Sequence, residues 1–587
     1  MSGAAQKVVE SLDDGEDITP PPEGPVTGTA PPIVPLGHAD KVFYFINASG
    51  EKSDYAARDL VRLNISCLFG GDTEWLSLNF PVRNKDGEVI FGQYKAPDAA
   101  EWLMRQCKNI YNTETSVRGL GVWRRRREVL AHLGSHIWLR GVLQKAGAIV
   151  GGAIYPACNA QALPDFDHPA TATDGLSLRS DFGMWSFAQD FDADLLFGWL
   201  GAALLGGFPS WRVHALVTGE AGSGKSTLGR LMMAVLGPQG KQMNDYTVPG
   251  MRQSLTNEAR IVWLDEAEAP DEGQMQRMAQ MISLLRKMSD DEGARVSRGG
   301  ADQKAINSTV TGCVLLTAIN PPALHAQDMR RILVVPVEKP STVRPTAEIR
   351  GVVERAEKMS ARFRARALIG AKRFGEAFDL YRDLLSEHGC SGRQADMFAT
   401  LLAGRAVLLH DAVPTFDQAL DYVKQLRHRI RLIMLDDSEA GDGLSCLNRL
   451  MDSTCDAIRD GVKRTIGQLT SSGMTPPQVP ENEKLMPHGL RIIDVEGSSP
   501  LERMLFVSND HLGLGRIFHN TPWSGGNHRA SLLRLPGVRP SPKPINVGRK
   551  SRGLLIPAAL LPERDRGDTF DTSHDHAPFD PFDPAPD

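Results

Sequence analysis

The nine residues GEAGSGKST, at positions 219–227, carry the most specific pattern in this chain of 587 residues. They match GxxxxGK[ST] at every fixed position, directly after an apolar run at 213–218 and at the start of the helical pattern STLGRLMMAVLG. Small residues let backbone N–H groups turn inward around phosphate oxygens, and the start of a helix adds a favourable dipole. The pattern predicts a strand, a phosphate-binding loop and a helix. The alternative is an accidental glycine turn.

The residue types in this loop predict how it binds a nucleoside triphosphate. Lys225 is expected to reach the β- and γ-phosphates, and the hydroxyl of Ser226 to bind Mg²⁺. The predicted cofactors are therefore ATP and Mg²⁺. The predicted nucleotide-binding residues are Gly219, Glu220, Ala221, Gly222, Ser223, Gly224, Lys225, Ser226 and Thr227.

Two further apolar runs end in polar residues that suit ATP hydrolysis. The run 261–264 is followed by Asp265 and Glu266, and the run 313–318 by Asn320. Because α/β sheets bind ligands at the carboxyl ends of their strands, Asp265 is expected to bind Mg²⁺ and Glu266 to polarise the attacking water. Asn320 is expected to orient that water. The alternatives are solvated acids that cap a helix and an ordinary Asn-Pro turn.

A pair of arginines stands just before the apolar run ILVVPV. Either Arg330 or Arg331 is placed to reach a γ-phosphate bound by a neighbouring subunit, where it would stabilise the charge of the transition state. The sequence does not choose between the two. The alternative is a surface arginine pair.

Composition and turn residues divide the chain into six segments. Strand and helix signals alternate around the glycine motif, which predicts the α/β fold class with a parallel sheet. The predicted segments are a disordered, acidic, Pro-rich tail (1–40), an N-terminal α+β domain (41–190), an α/β P-loop core (191–345), a helical domain (346–475), a basic winged-helix-like module (476–566) and an acidic tail (567–587).

Charge is distributed unevenly along the chain. Residues 1–40 and 567–587 each carry a net charge of −6, so the body between them is at +7 although the whole chain is at −5. Residues 511–562 hold eight Arg and Lys and no Asp or Glu. This composition permits a polyanionic partner.

Two groups of basic residues are predicted to contact DNA, because phosphate contacts need only positive charge. One group lies at the tip of a predicted hairpin between the acids and the asparagine, and the other lies in the basic module. The alternatives are an ordinary solvated turn and a basic surface paired with acidic neighbours. The predicted residues are Arg298 and Lys304 in the hairpin, and Arg529, Arg534, Arg539, Lys543, Arg549, Lys550 and Arg552 in the module.

Several classes of protein do not fit this sequence. Seven cysteines without a CxxC pair argue against a zinc ribbon and for a reducing compartment. The N-terminus lacks a secretory signal pattern. The most apolar stretch, 195–208, has 14 residues, whereas a membrane span needs about 20. We therefore expect a cytoplasmic protein that does not enter a membrane.

The order of these motifs resembles that of superfamily 3 helicases, a compact branch of the AAA+ class. It is most similar to the primase-helicase ATPases of phages and large DNA viruses, over about 193–337. The resemblance implies a ring, usually a hexamer, that hydrolyses ATP between subunits and moves along DNA. It also implies a basic hairpin that points into the ring, and the cytoplasm of a bacterial host. Zinc-ligand cysteines and primase acids are missing, so a separate primase or polymerase is the expected partner.

The sequence thus predicts an ATP-dependent DNA helicase or translocase that acts in phage or mobile-element replication. Two other functions remain open. One is a nucleotide-switched assembly ATPase of a defence or regulatory system. The other is a replication initiator that uses ATP without unwinding DNA.

Overall fold

In the computed structural model, the chain forms two compact units. The first comprises Met1–Pro321, Leu333–Leu384 and Ala395–Ala419, and the second comprises Pro322–Ile332, Leu385–Gln394 and Leu420–Asp587. The residues that the structure describes are 30–561, except for 113–116, 244–246, 266, 268–271, 291–292, 300–304, 320–323, 325, 341–345, 391, 438, 456–463, 475–480, 496–501, 520 and 522.

A six-stranded sheet lies at the centre of the first unit. Four of its strands run parallel to their neighbours, and the short edge strand is antiparallel to the one beside it. The central strands are buried along their whole length, which is why they appear in the sequence as continuous apolar runs. The predicted α/β class with a parallel sheet is confirmed. The strand order is Ser186–Phe187, Ile332–Glu338, His214–Thr218, Val314–Ala318, Ile261–Leu264 and Gly240–Met243.

Helices surround this sheet, and two of them cross at backbone contact. A Cβ atom on Gly198 would lie 2.1 Å from the carbonyl oxygen of Leu401, and one on Gly201 would lie 2.1 Å from that of Gly404. The glycines of the apolar segment GWLGAALLGG are therefore needed for close packing. The described helices from this segment onward are Asp192–Ala203, Lys225–Leu236, Val248–Ser254, Glu272–Met288, Thr346–Ile369, Ala371–Glu387 and Gly392–Leu409.

The N-terminal part of the first unit contains antiparallel strands that pack on hydrophobic cores. One core lies between Ile33 and Cys107, another joins residues between Trp123 and Tyr155 to Ala259, and a small cluster holds Ile46, Tyr111 and Ile154. The helices here are Arg62–Leu68, Glu74–Asn79, Ala96–Gln106 and Ala172–Phe182. The strands are Val34–Ala39, Val42–Ile46, Lys52–Ala56, Pro81–Arg83, Val89–Tyr94, Gly121–Arg125, Glu128–His132, His136–Leu139, Val142–Lys145, Ala148–Val150 and Ala153–Tyr155.

Asn257 connects this N-terminal part to the central sheet. Its carbonyl accepts from the N–H of Gly119 at 2.6 Å, and its own N–H donates to the carbonyl of Thr309 at 2.9 Å. Its side-chain oxygen accepts from the N–H of Thr309 at 3.3 Å. A φ of 59° puts Asn257 in the left-handed region, which asparagine tolerates better than most residues. Strand Ile261–Leu264 of the central sheet follows shortly after Asn257. The N-terminal part, the segment around Thr309 and the central sheet therefore meet at the start of this strand.

The second unit is built around a four-stranded antiparallel sheet. Within the segment predicted as a basic module, the structure has strand Gly553–Pro557 and helix His528–Leu532. The segment predicted as one helical domain, 346–475, is shared between the two units.

The strand order in the sheet of the second unit is Leu490–Val495, Glu502–Ser508, Gly553–Pro557 and Arg539–Pro540. Further helices are Ala326–Met329, Phe416–Asp437, Glu439–Met451, Ile466–Met474, Asn482–Leu485 and Leu512–Ile517. Short strand pairs are Thr454–Cys455 with Arg464–Thr465, and Ile545–Asn546 with Lys550–Ser551.

Across the parts of the chain that the structure describes, each helix is too short or too polar to cross a lipid bilayer.

Candidate nucleotide-binding site

The glycine loop, Gly219–Gly224, joins strand His214–Thr218 to helix Lys225–Leu236. Its three glycines have positive φ angles of 151°, 84° and 88°, a region that glycine enters without steric cost. A Cβ atom on Gly219 would lie 2.0 Å from the carbonyl oxygen of Val337. The loop therefore takes this path only with glycine at its first position.

Lys225 lies at the start of the helix and is folded back over the loop. Its side chain is buried, and Nζ donates to the carbonyls of Gly219 and Glu220 at 2.7 and 2.8 Å. The first N–H groups of a helix have no partner within it. A buried cation at the positive end of the helix dipole is suited to binding phosphate. The hydroxyl of Ser223 is also buried here and has no hydrogen-bond partner among the residues that the structure describes, so the loop holds a polar group that a ligand would satisfy.

Two oxygen atoms meet beside the loop. The hydroxyl of Ser226 lies 3.3 Å from Oδ1 of Asp265, although 39 residues separate the two positions in sequence. Oδ1 also accepts from the hydroxyl of Thr317, which in turn accepts from Nε1 of Trp263 at 3.1 Å. This chain of hydrogen bonds fixes the carboxylate at the end of its strand. Hydroxyl and carboxylate oxygens are ligands that Mg²⁺ prefers, so the residues present fit this ion.

Glu220 in the glycine loop pairs with Lys339, whose Nζ lies 2.7 Å from Oε2. The hydrogen bond and the charge of Lys339 hold the pKa of this carboxyl below its ordinary value. Both side chains are exposed to solvent, so the pair adds little to stability. Its consequence is local, because it turns the Glu220 carboxylate toward Lys339.

Trp185 is a contact of the loop that the sequence does not indicate. Its indole N–H donates to the carbonyl of Gly224 at 3.0 Å, and a Cβ atom on Gly224 would lie 2.9 Å from the same nitrogen. The tryptophan is almost fully buried. It lies in a short segment before the edge strand Ser186–Phe187, where neither periodicity nor a motif marks it.

Of the other four predicted catalytic residues, the structure describes two, Arg330 and Arg331. Glu266 and Asn320 lie outside the described residues. Arg331 is buried, and its Nη1 donates to the carbonyl of Gln327 at 2.8 Å. Arg330 is only half-buried. The environment of Arg331 is that of a structural arginine, and Arg330 is the more accessible of the pair.

The predicted basic hairpin is present as an antiparallel strand pair. Strand Ala294–Gly299 pairs with Ala305–Val310, with Gly299 opposite Ala305 at the turn. Lys304 and the side chain of Arg298 lie outside the described residues.

Two of the seven predicted DNA contacts in the C-terminal module are paired with acids. Nη1 of Arg534 lies 3.1 Å from Asp442, which also accepts from the indole N–H of Trp523 at 3.0 Å. Arg549 lies 3.2 Å from Asp510. Both acids lie outside the acid-free stretch 511–562, so its composition overstates the unpaired charge. The other predicted contacts in the module are exposed: Arg529, Arg539, Lys543, Lys550 and Arg552.

Comparisons with known proteins give only distant similarities. No family model and no curated protein matches the chain. A solved structure of SCCmec type IV Cch, described as an active helicase, aligns with a TM-score of 0.49 at 12% identity, covering 91% of this chain and 95% of that one. The apo A form of the NrS-1 C-terminal region aligns with a TM-score of 0.30 at 12% identity, covering 66% and 90%. With TM-scores below 0.5, these similarities do not establish the activity of this chain.

Proposed function

We propose that this protein is an ATP-dependent DNA motor, a helicase or translocase of the superfamily 3 type that acts in phage or mobile-element replication. The observation that supports this most is the convergence of three groups at one sheet edge. Lys225 is buried on the glycine loop, and Ser226 faces Asp265 at 3.3 Å. A cation for phosphate and two oxygens for Mg²⁺ are what binding of a nucleoside triphosphate requires.

Each group has a distinct task in this proposal. Lys225 and the N–H groups of the loop would bind the β- and γ-phosphates, and Ser226 and Asp265 would hold Mg²⁺. The ion, when bound, would offset the charge that develops on the phosphate oxygens. Glu266, next to Asp265 in sequence, would accept a proton from the attacking water, and Asn320 would orient that water.

The proposal also includes a neighbouring subunit. In a ring, often a hexamer, an arginine of one subunit would reach the γ-phosphate held by the next. Arg330 suits this role better than Arg331 because its side chain is less buried. The hairpin with Arg298 and Lys304 and the exposed basic residues of the C-terminal module would contact DNA phosphates.

An ATPase assay with and without DNA tests this proposal. We expect Mg²⁺-dependent hydrolysis that DNA stimulates. Lys225→Ala should reduce hydrolysis on the order of 10²-fold or more, because it removes a preorganised charge from the phosphates. Lys372→Ala removes an equal charge from a side chain that is 89% exposed on another helix, and it should hydrolyse at the wild-type rate. Equal rates for the wild type and Lys225→Ala would refute the site.

A further inference from the structure

A cluster of arginines lies at one end of an antiparallel sheet in the N-terminal part of the first unit. The sheet has four strands in sequence order: Gly121–Arg125, Glu128–His132, His136–Leu139 and Val142–Lys145. Arg125 pairs with Glu128 beside the first turn. Leu139 pairs with both Leu130 and Val142 beside the third turn. Consecutive antiparallel strands reverse direction, so the first and third turns lie at the same end.

We name this end the arginine tip, meaning Arg124, Arg125, Arg126, Arg127 and Arg140. Glu128 connects its two turns. One carboxylate oxygen of Glu128 accepts from Nη1 of Arg125 at 3.1 Å, and the other accepts from Nε of Arg140 at 2.7 Å. The tip therefore combines five arginines with a single glutamate, which holds two of them in place.

Further contacts hold the side chains of Arg124 and Arg125 in the tip. Nε of Arg124 donates to the carbonyl of Arg126 at 2.9 Å, and Arg126 has a φ of 53°. A Cβ atom on Gly151 would lie 3.0 Å from Nε of Arg125, so a turn of the next strand pair packs against this side chain. The side chains of Arg126 and Arg127 are exposed to solvent. Because Arg124, Arg125 and Arg140 are already held in place, these three side chains lose little entropy when they bind an anion.

The described residues of the sheet beneath the tip offer no exposed aromatic ring for base stacking. Trp123 and Trp138 are both 6% exposed, and Trp123 belongs to the core together with Leu130 and Ile137. Nonspecific binding of single strands normally combines basic side chains with exposed aromatic rings. The described part of the tip offers only the first of these, and arginine matches phosphate oxygens in a bidentate manner.

We propose that the arginine tip binds the phosphodiester backbone of nucleic acid without sequence preference. This inference rests on the proposed function, because it adds a DNA contact on a part of the chain to which no role has been given. The interaction is with phosphates, so it applies to both duplex and single-stranded DNA. It is also electrostatic, so its strength should fall as salt rises.

A salt titration of DNA affinity tests the arginine tip in the full-length protein. The variant is Arg126→Gln/Arg127→Gln, and the probes are labelled duplex and single-stranded DNA of mixed sequence. If each arginine neutralises one phosphate, the log–log salt slope should fall by about 1.8 on duplex and about 1.4 on single strands. Arg126→Lys/Arg127→Lys keeps the charge and should keep most of the slope.

The matched control is Lys85→Gln/Lys108→Gln, which removes the same charge from two exposed lysines elsewhere in the first unit. It should leave the slope unchanged. A wild-type slope in the arginine variant would overturn the proposal. The proposal would also be overturned if the arginine variant bound a peptide of residues 567–587 more weakly but bound DNA as the wild type does. The tip would then be a site for acidic protein. ATP hydrolysis is measured separately, and its absence would refute the motor without changing the result on phosphate contacts.

Discussion

At the scale of single residues, the site depends on positioning side chains as well as on those that would touch ATP. Thr317 is the clearest case, because its hydroxyl donates to Asp265 and accepts from Trp263. It is almost fully buried and belongs to the neighbouring strand Val314–Ala318. Strand Val314–Ala318 thus helps to set the direction of the Asp265 carboxylate, although this strand contains no predicted Mg²⁺ ligand.

We predict that Thr317→Val weakens the response to Mg²⁺. A hydrogen bond contributes about 0.5–1.5 kcal/mol, so the Mg²⁺ concentration for half-maximal hydrolysis should rise roughly two- to tenfold. The variant also leaves the N–H of Trp263 buried without an acceptor, at a cost of about 1–3 kcal/mol. Thr317→Ser keeps the hydroxyl and serves as the control. An unchanged Mg²⁺ response in the valine variant would show that Thr317 does not position Asp265.

The sequence leads to some of these residues and not to others for a physical reason. The glycine loop has a fixed spacing because consecutive residues surround one ligand, so Lys225 and Ser226 can be found by pattern. Asp265 is found because a buried strand ends there. Trp185 and Thr317 act through side-chain contacts between distant segments, and a single sequence holds no periodic signal for such contacts.

At the scale of secondary-structure elements, the helix that begins at Lys225 is held against the strand that ends before Asp265. A Cβ atom on Gly229 would lie 2.6 Å from the ring of Trp263. This close approach sets the distance between helix and strand, and with it the distance between Ser226 and Asp265. The glycine is therefore part of the geometry of the site although it lies one turn away from it.

We predict opposite effects for two glycine-to-alanine changes in helices. Gly229→Ala should lower the thermal midpoint and weaken ATP binding, because overpacking costs about 1–3 kcal/mol. Gly375→Ala places its methyl group in open space within helix Ala371–Glu387. It should raise the midpoint, because alanine is favoured over glycine in a helix by about 0.5–1 kcal/mol. Thermal unfolding of both variants would check this. Equal shifts would mean that the helix and the strand are not in close contact.

Elements are easier to predict from this sequence than the packing between them. The run 261–264 coincides with strand Ile261–Leu264, since a strand buried on both faces is apolar throughout. The role of Gly198 and Gly201 in a helix crossing could not be predicted. Glycines that allow close approach look the same in sequence as glycines that allow turns.

At the scale of the whole molecule, the ring proposal predicts complementation between two inactive variants. Arg330→Ala should lack activity because its subunits cannot complete the neighbouring site. Mixed with Lys225→Ala protein, it should regain part of the activity. Random mixing in equal amounts leaves about a quarter of the interfaces with both halves intact, given the head-to-tail contacts of a ring. An ATPase titration of the two proteins measures this, with co-assembly checked by size. No recovery at any ratio would contradict a shared site.

Domain organisation is the level at which the sequence is least informative. Proline-rich and charged segments suggest boundaries, but compact units form from segments that are far apart in the chain, such as Pro322–Ile332 and Leu420–Asp587 in the second unit. The distribution of unpaired charge is also difficult to predict from the sequence. Arg534 and Arg549 belong to a basic stretch of sequence, yet each pairs with an acid that lies outside it.

Displacement of a strand from forked DNA tests the central claim of an ATP-driven DNA motor most directly. Wild-type protein should release the strand with ATP and Mg²⁺ and should not do so when ATP is omitted. Lys225→Ala should release none, and Lys372→Ala should match the wild type. Hydrolysis of ATP without any displacement or movement on DNA would contradict the motor, and would favour an ATPase that uses nucleotide only for assembly.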